Sequence, residues 1–248
     1  MWHKWILIFC FTSQAWAYQL TSDFMNGFYW ASLPVNIMVV ESNPSRKELL
    51  ENLAQTAISE WETRSGFTLW SFLRTGTTNI IRWSTNFAAE TRMDPSSVLA
   101  VAIRYTNGPY FAKTEIIING NHVLNQNQSY LRTTLTHELG HTMGLDHSEV
   151  EDAVMAPTLQ AFYSGLHQDD VEGMQAAYTE TEYRQLTRYV SPLAYSKETQ
   201  TNQPLSCGTV GPVNQMANQG SLQGVLSLVV GLLITFVRKL FTWFKSLL

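Results

Sequence analysis

The chain has 248 residues, 45% of them hydrophobic, which is enough to bury one full-sized core and leaves room for one or two domains. A formal net charge of −4 and a body without a basic patch exclude the electrostatic footprint of a nucleic-acid binder. With only Cys10 and Cys207, the chain cannot be a disulfide scaffold.

Residues 1–17 read as a secretory signal, with Lys4, an apolar run from Trp5 to Phe11, and Ala15-Trp16-Ala17 as a small-residue cleavage site; the rival is a short buried helix. Removing the signal takes Cys10 with it, so the exported chain must be held by its core and any bound metal. Pro34 to Val40 is β-branched and partly alternating, the pattern of a first strand. Ser45 with Glu48 three residues later predicts a capping box that opens a long helix. Leu50, Leu53, Ala54, Ala57, Ile58 and Trp61 fall on one stripe of it, and Gly66 is its predicted stop. Short strands are predicted at residues 79–84, 98–103 and 114–119, with a turn at Asn107-Gly108. The run Val98 to Ile103 is apolar throughout, so it reads either as a buried strand or as an edge.

The chemistry is concentrated in His137-Glu138-Leu139-Gly140-His141-Thr142-Met143-Gly144-Leu145-Asp146-His147. On a helix, His137 and His141 project from one face and can close on a single Zn²⁺. Glu138 lies beside them, where a carboxylate can act on water as a general base without being a ligand. Gly144 can adopt the left-handed conformation that turns the chain back, and His147 then arrives as third ligand. Three neutral imidazoles leave a fourth position open, the arrangement of a catalytic zinc. Leu131, Leu135, Leu139 and Met143 form an apolar seam on the same helix.

This complete H-E-x-x-H-x-x-G-x-x-H run resembles the metzincin metalloproteases. Val154-Met155-Ala156-Pro157 is similar to their Met-turn, Ser148 after the third histidine matches the matrixin branch, and residues 166–178 resemble the matrixin closing helix. The resemblance implies an α+β matrixin-like catalytic domain. Its parts would be a twisted, mostly parallel sheet with an antiparallel edge strand, a long first helix, a zinc helix, a Met-turn and a closing helix. It also implies a zinc endopeptidase, expected as a monomer, with His137, His141 and His147 as ligands, Glu138 as base and Met155 as an apolar floor. In that family the substrate polypeptide pairs with the edge strand, which points to Leu99 and Ala100 as contacts. Thr133 stands where the family places the base of the primary specificity pocket, and Pro157-Thr158-Leu159 replaces the family's Pro-x-Tyr wall. Asp169 and Asp170 are expected to cap the closing helix and support the Met-turn. Calcium sites are common in the family, but no acidic loop here is regular enough to assign Ca²⁺ ligands. His122 and His167 are expected at the surface, giving one zinc per chain.

Matrixins are typically made latent by a propeptide cysteine, and none lies between Cys10 and Cys207; Cys207 is the one candidate for a C-terminal switch. The domain, residues 18–182, is expected to end near Glu182, followed by a polar linker over 183–223. Residues 224–248 form an apolar run and then a basic amphipathic segment, with Arg238, Lys239 and Lys245 opposite Leu240, Phe241, Trp243 and Phe244. This tail predicts membrane attachment, by a marginally short transmembrane helix or in the interface, or else a helix docked on the domain. Together with Cys207-Gly208 it resembles the tripartite C-terminal sorting tags of some Gram-negative envelope proteins. A rival function is a membrane-tethered binding or adhesion protein on a metzincin fold, against which the intact Glu138 argues.

Overall fold

A computed structural model of the chain describes residues 18–159, 164–195 and 205–210. The predicted signal at residues 1–17 and the apolar tail at 224–248 lie outside these. A short helix α1 (Ser22–Met25) leads to β1 (Tyr29–Trp30), β2 (Val35–Val40) and the long helix α2 (Pro44–Ser65). Next come β3 (Trp70–Phe72), β4 (Ile80–Ser84), α3 (Phe87–Thr91), β5 (Val98–Asn107) and β6 (Tyr110–Asn119). A 3-10 turn at Val123–Gln126 precedes α4 (Gln128–Thr142), and α5 (Gln168–Thr187) and β7 (Leu205–Val210) follow.

The strands form one sheet in the order β3-β2-β4-β6-β5-β7, with β1 beside the start of β6. Pairing is parallel from β3 to β6, as the helical crossovers require, and β5 is antiparallel to β6. This is the expected mostly parallel α+β sheet. Beyond β5 there is one strand more, because β7 pairs antiparallel with its outer side. Leu99 to Ile103 are buried on both faces of β5: Ala100 and Ala102 join the main core, and Val101 and Ile103 join a smaller cluster with Phe87 and Ile117. Burial on both sides explains the uninterrupted apolar run.

The long helix starts differently from the predicted capping box. Asn43 is its N-cap, with Oδ1 accepting from the Arg46 amide at 3.0 Å, and Pro44 occupies the first helical position. A proline there lacks only an N–H that would have had no partner, which draws the start back to residue 44. Gly66 ends the helix in the left-handed region at φ 82°, as expected. The stripe Leu50, Ala54, Ala57, Ile58 and Trp61 is buried against α4 and the sheet.

At the other end, α5 runs past Glu182 to Thr187. The chain beyond it is tied to the N-terminal segment. Arg184 donates to the carbonyls of Phe24 at 2.8 Å and Phe28 at 3.2 Å, Tyr29 donates its hydroxyl to the Tyr189 carbonyl, and Ser191 bonds to the Asn26 carbonyl. Of the segment 183–223 expected as linker, residues 205–210 are strand β7. Among the described residues, no helix is long and apolar enough to cross a membrane.

One buried ion pair joins three elements. Arg104 on β5 makes a forked contact with Asp23 of α1, at 2.7 and 3.1 Å, and its remaining nitrogen donates to the His141 carbonyl on α4. Both charged side chains are almost fully buried, so removing one strands the other. Asp23→Ala is expected to lower stability by about 3–5 kcal/mol, whereas Asp23→Leu with Arg104→Met should recover most of the loss. Urea unfolding midpoints of the two variants measure the difference.

Candidate metal centre

Helix α4 starts at Asn127, whose side chain accepts from the amides of Ser129 at 2.9 Å and Tyr130 at 3.5 Å. The apolar seam Leu131, Leu135, Leu139 and Met143 is fully buried, as its spacing predicted. Three tryptophans fix the helix by their indole N–H groups. Trp61 donates to the Thr136 carbonyl at 2.8 Å, Trp30 to the Thr142 carbonyl at 2.8 Å, and Trp70 to the Thr142 hydroxyl at 3.1 Å. The Thr142 carbonyl belongs to the last turn and has no partner within the helix, so the bond from Trp30 fills a need.

The helix stops where the motif predicted. Gly144 is left-handed at φ 100°, and a Cβ there would lie 2.6 Å from the Phe24 ring, so both backbone and space call for glycine. The returning chain brings His147 against His137 and His141, with ring centroids 4.6 to 5.3 Å apart. One nitrogen from each of the three lies within 4.8 Å of the others.

The second nitrogens explain the orientation. Nδ1 of His137 lies 2.6 Å from the Val154 carbonyl, and Nδ1 of His141 lies 2.7 Å from the Leu145 carbonyl. A carbonyl can only accept, so each Nδ1 carries the proton and each Nε2 keeps its lone pair for a metal. Both Nε2 atoms are buried and have no hydrogen-bond partner. Burial holds both imidazoles neutral, with His137 lowered to about 3 chiefly by desolvation and next by the charge of His147. His141 is pushed well below its ordinary value by the same cause, and the half-buried His147 moves down too, against the pull of Asp146. Two buried, unpartnered imidazole lone pairs beside a third histidine fit Zn²⁺, which prefers such nitrogen donors. Glu138 is fully buried on the same helix.

The stretch expected as a Met-turn packs on the metal-centre helix. Met155 packs on Gly140, where a Cβ would collide with the Met155 sulfur and press on Trp61. Glycine between the two helix ligands is therefore required by packing on Met155, which the motif alone did not show. Asp170 organises the turn, accepting from the amides of Val154 and Met155 at 2.9 Å each and of His167 at 2.8 Å. It does both jobs expected of the acidic pair, since its bond to His167 completes the capping box of α5. The N-cap itself is His167, whose Nδ1 accepts from the Asp169 amide, and Asp169 instead receives the Ser148 hydroxyl at 2.6 Å. His122 likewise caps a turn, accepting from the Leu124 amide at 3.2 Å.

The expected substrate contacts divide. Leu99 and Ala100 are fully buried, so they present only backbone, and the Leu99 carbonyl already accepts from Asn125 at 2.7 Å. Thr133 is buried with its hydroxyl on the Ser129 carbonyl at 3.1 Å, Pro157 is exposed and Leu159 is buried. Sequence reading missed Arg104 and Asp23, because nothing in either's neighbourhood signals a partner 81 residues away.

Because folding lowers the histidine pKa values below the ordinary 6.5, the unfolded chain takes up protons that the folded, metal-free chain refuses. The stabilisation is complete above about pH 6.5 and is lost as pH falls from there toward 3. Metal-stripped protein is expected to show a melting temperature that declines through this window. His137→Gln should flatten the decline, as read by calorimetry across pH.

The matrixin family model matches residues 30–179. The chain is similar to matrix metalloproteinase-19 of Mus musculus, 36% identical over 95 residues, which cover 37% of this chain and 17% of that protein. It is similar to metalloendoproteinase 4-MMP of Arabidopsis thaliana, 35% identical over 104 residues, 41% of this chain and 27% of that protein. Matrilysin of Rattus norvegicus is 50% identical over 46 residues, 17% of each chain. The matches thus span about a quarter or less of these relatives' lengths. The family match covers strands β2 to β6, the metal centre and most of the closing helix, and the chain belongs to the matrixin family.

Proposed function

We propose that the chain is a zinc-dependent endopeptidase acting on extracellular or envelope polypeptides. The observation that carries this reading is the pair of buried, unpartnered Nε2 atoms of His137 and His141, converging with His147 and lying beside the buried carboxylate of Glu138. Bound zinc would supply Lewis acidity, lowering the pKa of water and polarising a peptide carbonyl. Glu138 takes the proton from the attacking water and delivers it to the departing amine nitrogen. His137 and His141 are oriented by the Val154 and Leu145 carbonyls, and Met155 packs against Gly140 between them on the helix.

An extended polypeptide would be held along β5 by backbone hydrogen bonds, including those of Leu99 and Ala100. Thr133, Pro157 and Leu159 would shape the pocket for the residue after the scissile bond. The signal at residues 1–17 would export the chain, and the tail at 224–248 would keep it at a membrane. A binding protein on the same fold would need the histidines but no base, so Glu138 separates the two readings.

Glu138→Ala is expected to retain one zinc per chain while losing at least about a hundredfold in peptide hydrolysis. Metal analysis combined with cleavage of a mixed peptide library checks both halves. Zinc in both proteins with cleavage by neither would favour the binding protein.

A further inference from the structure

The outer side of β5 is already taken in the folded chain. β7 pairs with it antiparallel, in a register that sets Val210 opposite Val98, Thr209 opposite Ala100, Gly208 opposite Val101, Cys207 opposite Ala102, Ser206 opposite Ile103 and Leu205 opposite Arg104. The inner side of β5 is used by β6, so this outer side is the only ladder that β5 itself could offer an added polypeptide. It is also the side near the metal centre. β7 lies close to α4 as well as to β5, and Arg104 at the end of the paired stretch donates to the His141 carbonyl.

We infer that Leu205–Val210 is an internal competitor, a strand of the chain's own C-terminal region that occupies the edge where a polypeptide substrate would pair. The inference rests on the endopeptidase reading for its consequence, which is restraint of activity, but the pairing itself does not. Backbone pairing recognises any extended chain, so occupancy by β7 and by an added peptide exclude each other. Because β7 is tethered to the same chain, its effective concentration at β5 is of the order of millimolar, so a free peptide of equal intrinsic affinity must exceed that concentration to displace it. The strand is also built to yield, since Gly208 lies inside it and glycine weakens strand interiors. Restraint of this kind needs no propeptide cysteine.

The test uses the full chain and its Ser206→Pro, Cys207→Pro double variant. Consecutive amides of an edge strand point alternately toward and away from the neighbour, so one of the two prolines removes a ladder donor in either register. The probe is the synthetic hexapeptide Leu-Ser-Ser-Gly-Thr-Val, which lacks the thiol. The double variant is expected to bind it roughly tenfold more tightly than the wild-type chain, in line with removal of a tethered competitor. It should also exchange the amides of residues 98–104 faster, with protection returning when the peptide is added. Equal affinity and equal exchange in the two proteins would overturn the inference. So would a Cys207→Ser single variant that reproduces the whole effect, because a thiol and not a strand would then be responsible. If neither protein cleaves a peptide library, the endopeptidase reading fails, while the affinity ratio and the exchange pattern still decide the competition.

Discussion

Two hydrogen bonds from imidazole to backbone set the terms for the rest of the molecule. His137 donates from Nδ1 to the Val154 carbonyl and His141 donates to the Leu145 carbonyl. Each bond selects a tautomer, and a ligand whose second nitrogen is fixed in this way binds metal in one orientation. The two carbonyls lie beyond the end of the helix that carries both histidines, so the centre exists only when those segments are placed. Val154 is placed by Asp170, which gathers the Val154 and Met155 amides with one carboxylate. Leu145 is placed by the N-terminal segment, where Leu20 forms a bridge to it and the Thr21 amide donates to the Gly144 carbonyl at 2.8 Å.

The same constraint explains the packing around α4. A buried nitrogen lone pair without a donor is costly, and a helix carrying two of them must be held by something else when no metal is bound. Three indole donors, the Leu131-Leu135-Leu139-Met143 seam and the Arg104 bond to the His141 carbonyl do this. Gly140 lets Met155 and Trp61 close on the helix from one side. The centre is therefore prepared by contacts that are not metal ligands, which is how a histidine cluster stays preorganised.

How much of this was legible in the sequence depended on how local each cause was. The ligands, Gly144, the α4 seam, the α2 stripe and the Gly66 stop are set by spacing within one helix or turn, and the structure has them where the spacing placed them. Two local signals competed at the start of α2, where Pro44 after Asn43 prevailed over the Ser45 and Glu48 box because the proline fits the first helical position at no cost. The acidic pair showed that caps were needed but not which partner each would find, and His167 took the N-cap that an aspartate was expected to fill. Long-range features left no local trace. Asp23 sits in a four-residue helix and Arg104 in an apolar strand, and only the folded sheet brings them together. β7 was hidden for a related reason, because Leu-Ser-Cys-Gly-Thr-Val has no alternation of its own and becomes a strand through the ladder that β5 offers.

β5 shows why recognition and stability are separable here. The side chains of Ala100 to Ile103 are used up in two cores, one on each face, and that of Arg104 is committed to Asp23 and His141. What recognises a neighbouring chain along this strand is its outer row of amides and carbonyls, the row that β7 occupies in the folded chain. Such a row binds by shape and direction and reads no side chains, so it fixes the path of a paired chain without choosing its sequence. Any choice would have to come from outside the strand, and the residues proposed for that role, Thr133 on α4 and the stretch after Met155, lie on other elements. On that proposal, substitutions there would alter selectivity while the β5 ladder, the Arg104 link and the histidine orientation stay as they are.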